Sequence, residues 1–146
     1  LDSVSPSNRH KQRGYCEGMI RNGAGEENLW LYDMEESSVR GGYETTLRIL
    51  DEHPDVQGII YSIDLVAVGG VRAAHDRGIS VPGQLGMIGI DNSIYGEICM
   101  QKLTTLDNRL QALSESAATI LREGLEGKVK SKKMMMFSEI IEREST

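Results

Sequence analysis

Three short apolar segments of the chain each end on an aspartate. The segments "LWLYD", "IIYSID" and "LGMIGID" end at Asp33, Asp64 and Asp91. Carboxylates in such positions can bind a divalent cation, transfer protons, or accept hydrogen bonds from a polyhydroxylated ligand. In an open α/β sheet, ligands bind beyond the carboxyl ends of the strands. The pattern therefore predicts a crevice at one edge of a sheet, lined by these aspartates.

Each aspartate also has a structural interpretation, because Asp is a good N-cap or turn residue. Asp64 stands directly before "LVAVGGV", where a helix cap and a ligand contact are equally favoured. Asp33 precedes a polar loop, which favours a turn role. Asp91 precedes "NSIYGEICM", which makes a poor helix, so a ligand contact is favoured.

Motifs of common enzymes and metal sites are missing from the sequence. It contains no G-x-x-x-x-G-K-[ST], no G-x-S-x-G and no H-E-x-x-H. Cys16 and Cys99 lie far apart, and the three histidines are scattered, so no zinc spacing is formed. We predict no catalytic residue, no metal site and no cofactor, and we expect both cysteines to be free thiols.

Composition indicates one globular domain. The chain has 146 residues, 39% of them hydrophobic and 26% charged, with a net charge of −6. An acidic chain is a poor candidate for direct contact with nucleic acid or an anionic membrane. No apolar run approaches the length of a membrane span, and the first residues show no signal-peptide core. The first residue is Leu1, which suggests a fragment, and we expect a cytoplasmic protein.

The order of elements predicts a Rossmann-like α/β fold. Apolar strands are predicted at 28–33, 56–64 and 84–91, and they alternate with helices at 7–22, 38–52 and 65–78. This alternation is typical of a parallel sheet covered on both faces, a three-layer sandwich. An amphipathic helix at 109–126, a basic loop at 128–133 and an edge strand at 134–141 complete the prediction.

Several motifs then match one known family. In order, they are Asp64-x-x-Ala67-x-Gly69, Gly78-Ile79-x-Val81-Pro82, Gly89-Ile90-Asp91, Leu103-Thr104-Thr105 and Ile141-x-Arg143-x-Ser145. Gly14-Tyr15 adds a helix-opening motif near the start. Together they resemble the lactose/purine repressor family of bacterial transcription regulators, over almost the whole chain.

The resemblance implies a fold and a role. Residues 1–146 would form the second lobe of a periplasmic-binding-protein-like type I domain that binds an effector and dimerises. The effector would be a sugar, a related polyol or a nucleoside. Operator DNA would be bound only through an N-terminal headpiece that this chain does not match. A periplasmic sugar-binding protein of a transporter has the same fold and is the alternative.

The resemblance also implies candidate residues. Asp91 is the expected effector contact, and Lys11 takes the place of an arginine, with Arg9 as a second candidate. Ile63 stands where the family often has a polar residue, and Ser37 stands where it has a stacking aromatic, for which Trp30 or Tyr32 would be substitutes. The expected ligand-binding set is Asp91, Lys11, Arg9, Asp64, Ser37 and Ile63. The expected dimer interface is Val68, Val71, Tyr95, Ile98 and Met100.

Overall fold

The computed structural model describes residues 6–128 and 131–146 as an α/β fold. The helices are α1 (Pro6–Arg21), α2 (Val39–Glu52), α3 (Asp64–Asp76), α4 (Ile94–Ile98) and α5 (Leu110–Leu125). The strands are β1 (Gly58–Ile60), β2 (Gly86–Ile90), β3 (Thr104–Asp107) and β4 (Glu139–Ile141). Of the predicted basic loop, residues 129 and 130 lie outside the described residues.

The strands form one sheet in the order β1-β2-β3-β4. The first three strands are parallel, with Ile60 opposite Ile88 and Ile88 opposite Thr104. β4 pairs antiparallel with β3 at the sheet edge, as predicted for the final strand. The carboxyl ends of β1, β2 and β3 therefore meet at the same edge.

Helices α2 and α3 pack closely together, and α3 also packs on β2. The Ser38 hydroxyl caps α2 by accepting a 3.1 Å hydrogen bond from the Gly41 amide. A Cβ at Gly69 would overlap the backbone of Val39 and Tyr43, so only glycine allows this approach of the two helices. The small residues of α3 thus set the distance between the helices.

The core lies between these helices and the sheet. Its buried members are Leu50, Tyr61, Val66, Ala67, Val71, Ala74, Leu85, Met87, Cys99 and Leu103. Burial raises the pKa of the Tyr61 phenol, and its oxygen lies 2.9 Å from the Thr46 hydroxyl oxygen. This buried phenol joins α2 to the strand end of β1.

Three segments differ from the prediction. Residues 28–33 form no strand: Asn28 ends a 3-10 turn at Glu26–Asn28, and Trp30 stacks on His53, with ring centroids 3.6 Å apart. The segment after Asp91, expected to be a poor helix, contains the single turn and a half of α4. Leu103-Thr104-Thr105 leads into β3, a strand that the sequence did not predict.

The second helical layer of the predicted sandwich is only partly formed by the described residues. Neither α1 nor α5 contributes a buried residue. A cavity of about 670 Å³ separates α1 and residues 28–34 from β1 and β2. The apolar side chains of α5 are exposed, with Leu110, Leu121 and Leu125 between 65% and 82% accessible.

Candidate functional site

The candidate site lies along the edge where β1, β2 and β3 end. Lys11 on α1 reaches this edge, because its Nζ donates a 2.8 Å hydrogen bond to the carbonyl oxygen of Ser62, two residues after β1. Asp91 directly follows β2. Asn108 directly follows β3, and its Nδ2 donates to Asp91 Oδ1 over 3.0 Å. The edge thus carries a carboxylate and an amide from the ends of β2 and β3, and a cation from α1 that is bonded to the segment after β1.

Asp91 has an unusual backbone conformation for a non-glycine residue. Its φ is 106°, and that of Asn92 is 48°. The Asp91 amide still donates to the Leu106 carbonyl oxygen over 2.9 Å, which extends the pairing of β2 with β3 by one residue. We call these two positive-φ residues, Asp91 and Asn92, the reversal. Within the reversal the Asp91 carboxylate is exposed. An exposed carboxylate at this edge can accept hydrogen bonds from ligand hydroxyls.

Asp64 has a different position from the one expected. It is 1% exposed, and the N-cap of α3 is Ile63, so Asp64 neither caps the helix nor faces a crevice. Its Oδ2 accepts from the Ser93 amide at 2.7 Å and the Ser93 hydroxyl at 3.0 Å. Its Oδ1 accepts from the Thr105 hydroxyl at 2.6 Å. Both carboxylate oxygens are therefore used inside the fold.

The remaining predicted ligand residues are spread over the domain. Arg9 and Ser37 are exposed, and neither lines the cavity beside α1. Ile63 is half-buried against the core and follows Ser62 at the strand-end edge. Of the predicted set, Lys11 and Asp91 are the charged side chains at this edge that are not enclosed by the fold.

The cavity beside α1 lies against β1 and β2 and shares Lys11 and Ser62 with this edge, whereas Asp91 and Asn108 do not line it. Its polar wall includes Asn8, Lys11, Asp33 and Ser62, and apolar and aromatic side chains line the rest. Trp30 and Tyr32, the proposed substitutes for the stacking aromatic, both line it. Hydrogen bonding to Glu52, with burial and charge as smaller causes, raises the pKa of the Tyr32 phenol.

The predicted dimer residues divide into two groups. Val71 is 3% exposed and belongs to the core of its own chain, so the prediction that it faces a partner was wrong. Val68 is half-buried against that core. Tyr95, Ile98 and Met100 are 44%, 69% and 65% exposed, and Ile94 beside them is 60% exposed. We call these four residues the α4 patch.

The described residues form neither a metal site nor a membrane span. No group of three His, Cys, Asp or Glu side chains in residues 6–128 and 131–146 is arranged to hold a metal ion. No helix in the same ranges is long and apolar enough to cross a membrane. Cys16 and Cys99 are free, and burial raises the pKa of the Cys99 thiol.

The sequence interpretation missed two residues of the site. Asn108 holds Asp91, and Asn92 makes the second left-handed residue of the reversal. Asn108 lies shortly after the motif Leu103-Thr104-Thr105. Had that motif been recognised as part of a strand, Asn108 would have been predicted at the carboxyl end of that strand. The dipeptide Asp91-Asn92 was itself a signal, because Asp and Asn are enriched at positive φ.

Comparison with known proteins identifies the family. The model of the periplasmic binding protein-like domain matches residues 2–146. The chain belongs to this family. The matching relatives are regulators of the lactose/purine repressor type, which confirms the resemblance seen in the motifs.

Two curated relatives and one solved structure illustrate this. The ribose operon repressor of Halalkalibacterium halodurans is 32% identical over 85 residues, covering 58% of this chain and 26% of the relative. The transcriptional regulator DegA of Bacillus subtilis is 26% identical over 147 residues, covering 99% and 43%. The structure of a LacI family regulator from Arthrobacter sp. FB24 in complex with lactose matches with a TM-score of 0.81 and 26% identity, covering 92% and 50%.

This periplasmic binding protein-like chain thus spans less than half the length of those curated relatives. The named relatives are a repressor and a transcriptional regulator. The fold class predicted from the sequence, a periplasmic-binding-protein-like α/β sandwich, is confirmed by the family match and by the solved structure.

Proposed function

We propose that this chain is the effector-sensing and dimerisation part of a cytoplasmic transcription regulator. The observation that carries the proposal is the exposed Asp91 carboxylate, held at the edge where three parallel strands end. Effector binding at this edge would change the relative stability of two arrangements of the domain and so the affinity of a separate headpiece for operator DNA.

The chemistry of the edge favours a hydroxyl-rich effector. Asp91 accepts hydrogen bonds from hydroxyls, while Lys11 and Asn108 donate them. The names of relatives point the same way, with a ribose operon repressor and a lactose-bound regulator among them. The effector is therefore a sugar or a related polyol, with nucleosides as the second class to test. The regulator names favour this role over a binding protein of a transporter.

A thermal-shift screen tests the proposal. The protein that carries this chain is incubated with ribose, lactose, cellobiose, maltose, their phosphates and a set of nucleosides. A ligand at 100 times its dissociation constant should stabilise the folded protein by about 2.7 kcal/mol. If no sugar, polyol or nucleoside shifts the melting temperature at millimolar concentration, the proposed effector class is wrong.

Calorimetric titration of two variants then locates the site. Asp91→Ala should weaken binding of the selected sugar by about 1.5 to 3 kcal/mol, the range for a charge-assisted hydrogen bond. Asp51→Ala is the matched control, because Asp51 is also an exposed carboxylate but pairs with Arg77 over 2.8 Å, away from the strand ends. Equal affinity of the two variants would remove Asp91 from the site.

A further inference from the structure

The reversal at Asp91 and Asn92 requires an explanation, because two consecutive non-glycine residues have positive φ. The angles are 106° and 48°. Such conformations cost about 1–3 kcal/mol each and persist only where surrounding contacts fix them. The contacts that fix this reversal therefore determine where the Asp91 carboxylate points.

Arg143, in the segment after β4, makes the charged contact with the reversal. Its Nη2 donates a 2.6 Å hydrogen bond to Asn92 Oδ1, and its Nη1 donates to the Leu103 carbonyl oxygen over 2.8 Å. The side chain of Arg143 is only 14% exposed. A guanidinium that donates to two partners at once has one favourable orientation, because its donors form a rigid plane.

The backbone around Arg143 is itself fixed. The Arg143 amide donates to Thr104 Oγ1 over 2.9 Å. Two residues later, the Ser145 hydroxyl donates to the Met87 carbonyl oxygen at 2.6 Å and accepts from the Thr104 amide at 2.8 Å. These bonds anchor the C-terminal segment to β2 and β3. They fix the backbone position from which the Arg143 side chain reaches Asn92.

Asn92 has further partners that keep its side chain in place for Arg143. The Asn92 amide donates to Thr105 Oγ1 over 3.2 Å, and its Nδ2 donates to Asp107 Oδ2 over 3.3 Å. Both of these bonds are longer, and the second is charge-assisted because its acceptor is a carboxylate. The bond to Arg143 is the shortest of the three and the one that joins Asn92 to the C-terminal segment.

The same guanidinium also lies beside α4. Arg143 Nη2 is 3.6 Å from Glu97 Oε1, and α4 starts two residues after Asn92. The α4 patch is carried by this helix and by the residues after it. Arg143 thus contacts the reversal that presents Asp91 and the helix that presents the patch.

We propose that Arg143 is a positioning residue for the effector site: through Asn92 it holds the positive-φ reversal that places the exposed Asp91 carboxylate at the strand-end edge. That this positioning serves effector binding rests on the proposed role of Asp91. The same guanidinium lies 3.6 Å from the exposed Glu97 carboxylate of α4, so the reversal and the start of the α4 patch share one neighbour.

Nuclear magnetic resonance tests the structural step without any effector. A residue with positive φ gives a strong nuclear Overhauser effect between its own amide and α protons, because these protons lie close together. Arg143→Gln keeps much of the side-chain size and removes the charged donors. We expect it to weaken this signal at Asp91 and Asn92. Arg40→Gln is the control, because Arg40 forms only an exposed pair with Glu44.

A double-mutant cycle with Asn92→Gly separates positioning from general stabilisation. Glycine adopts positive φ without strain and lacks the side-chain acceptor. Arg143→Gln should raise the unfolding equilibrium constant about tenfold more in the wild-type background than in the Asn92→Gly background, the effect of one charge-assisted hydrogen bond. The bond from Arg143 to the Leu103 carbonyl oxygen is lost in both backgrounds, so only the bond to Asn92 contributes to this difference.

Two results would overturn the proposal: wild-type positive-φ signals in Arg143→Gln, or an equal effect of Arg143→Gln in both backgrounds. If Arg143→Gln does not fold, Arg143→Lys takes its place, because a lysine ammonium cannot reproduce the two fixed donor directions. None of these measurements requires a bound sugar. An unsuccessful effector screen would therefore not contradict the role of Arg143 in holding the reversal. An unsuccessful test of Arg143 would likewise not contradict the proposed effector class.

Discussion

The carboxylate of Asp64 and the hydroxyl of Thr105 are joined by a 2.6 Å hydrogen bond that ties the start of α3 to β3. Both residues are buried, and the two positions are far apart along the chain. A Cβ at Gly89 would overlap Asp64 Oδ1, so the strand between them must carry a glycine. The family motifs Asp64-x-x-Ala67, Gly89-Ile90-Asp91 and Leu103-Thr104-Thr105 thus meet in one place.

The first prediction concerns Asp64. Asp64→Ala should lower the free energy of unfolding by about 3 kcal/mol or more, because it leaves Ser93 and Thr105 donors without an acceptor in the interior. Urea denaturation measures the change. Asp33→Ala, at an exposed aspartate that also ends an apolar segment, should change stability by about 0.5 kcal/mol or less. Similar losses for the two variants would contradict the structural role of Asp64.

The contact between α2 and α3 gives the second prediction. Gly69→Ala should destabilise the domain by about 1–3 kcal/mol, because the new methyl group overlaps the backbone of α2. Gly14→Ala is the matched control within a helix, since a Cβ there meets nothing within 4 Å. That variant should stabilise α1 by up to about 1 kcal/mol through helix propensity. Thermal unfolding of both would show the opposite signs, and equal signs would argue against the close approach.

The third prediction addresses strain at Asp91. Asp91→Gly should leave stability unchanged or raise it by up to about 1 kcal/mol, because relief of the strain at a φ of 106° offsets the entropy cost of glycine. The same variant should lose binding of the sugar selected in the screen. Denaturation and calorimetry on one sample would test both. A large loss of stability would mean that the Asn108 contact contributes more than the strain costs.

The fourth prediction concerns self-association through the α4 patch. A symmetric dimer is the commonest way to cover an exposed apolar group of this kind. Ile98→Asp should shift the chain towards the monomer in sedimentation at tens of micromolar. Met135→Asp is the control, because Met135 is 71% exposed, close to the 69% of Ile98, and lies outside the patch. A wild-type chain that is already monomeric would refute the proposed interface.

The fifth prediction is a pH dependence. Burial raises the pKa of Tyr61 above its usual value of about 10, so the folded state keeps the phenol proton where the unfolded state loses it. Stability from this group is complete below pH 10 and should decrease as the pH rises above it. Urea denaturation between pH 8 and pH 11 measures the slope. In Tyr61→Phe the part of that slope due to Tyr61 should disappear, and an unchanged slope would exclude Tyr61 as its source.

The sequence alone predicted the elements with strong local signals. Helix α2 was predicted from apolar spacings of three and four, and the structure has it at Val39–Glu52. β2 was predicted from an apolar run, and the edge position of β4 was also correct. The family, and with it the position of Asp91 at a strand end, followed from the motifs. Each of these features depends on residues that are close together in the sequence, so a local pattern is enough to predict it.

Only the tertiary structure showed that Asp64 is buried. The sequence favoured a ligand contact for Asp91 and left a cap and a ligand contact open for Asp64, but Asp64 is enclosed by Ser93 and Thr105 while Asp91 is exposed. The partners of Asp64 come from segments distant in sequence, so no local pattern could reveal them. The segment "LWLYD" also has residues typical of a strand, but it has no β partner among the described residues. Strand pairing depends on the position of a segment relative to the sheet, which its own residues do not determine. The sequence determined which residues are available, and the packing of distant segments decided which of them reach the crevice.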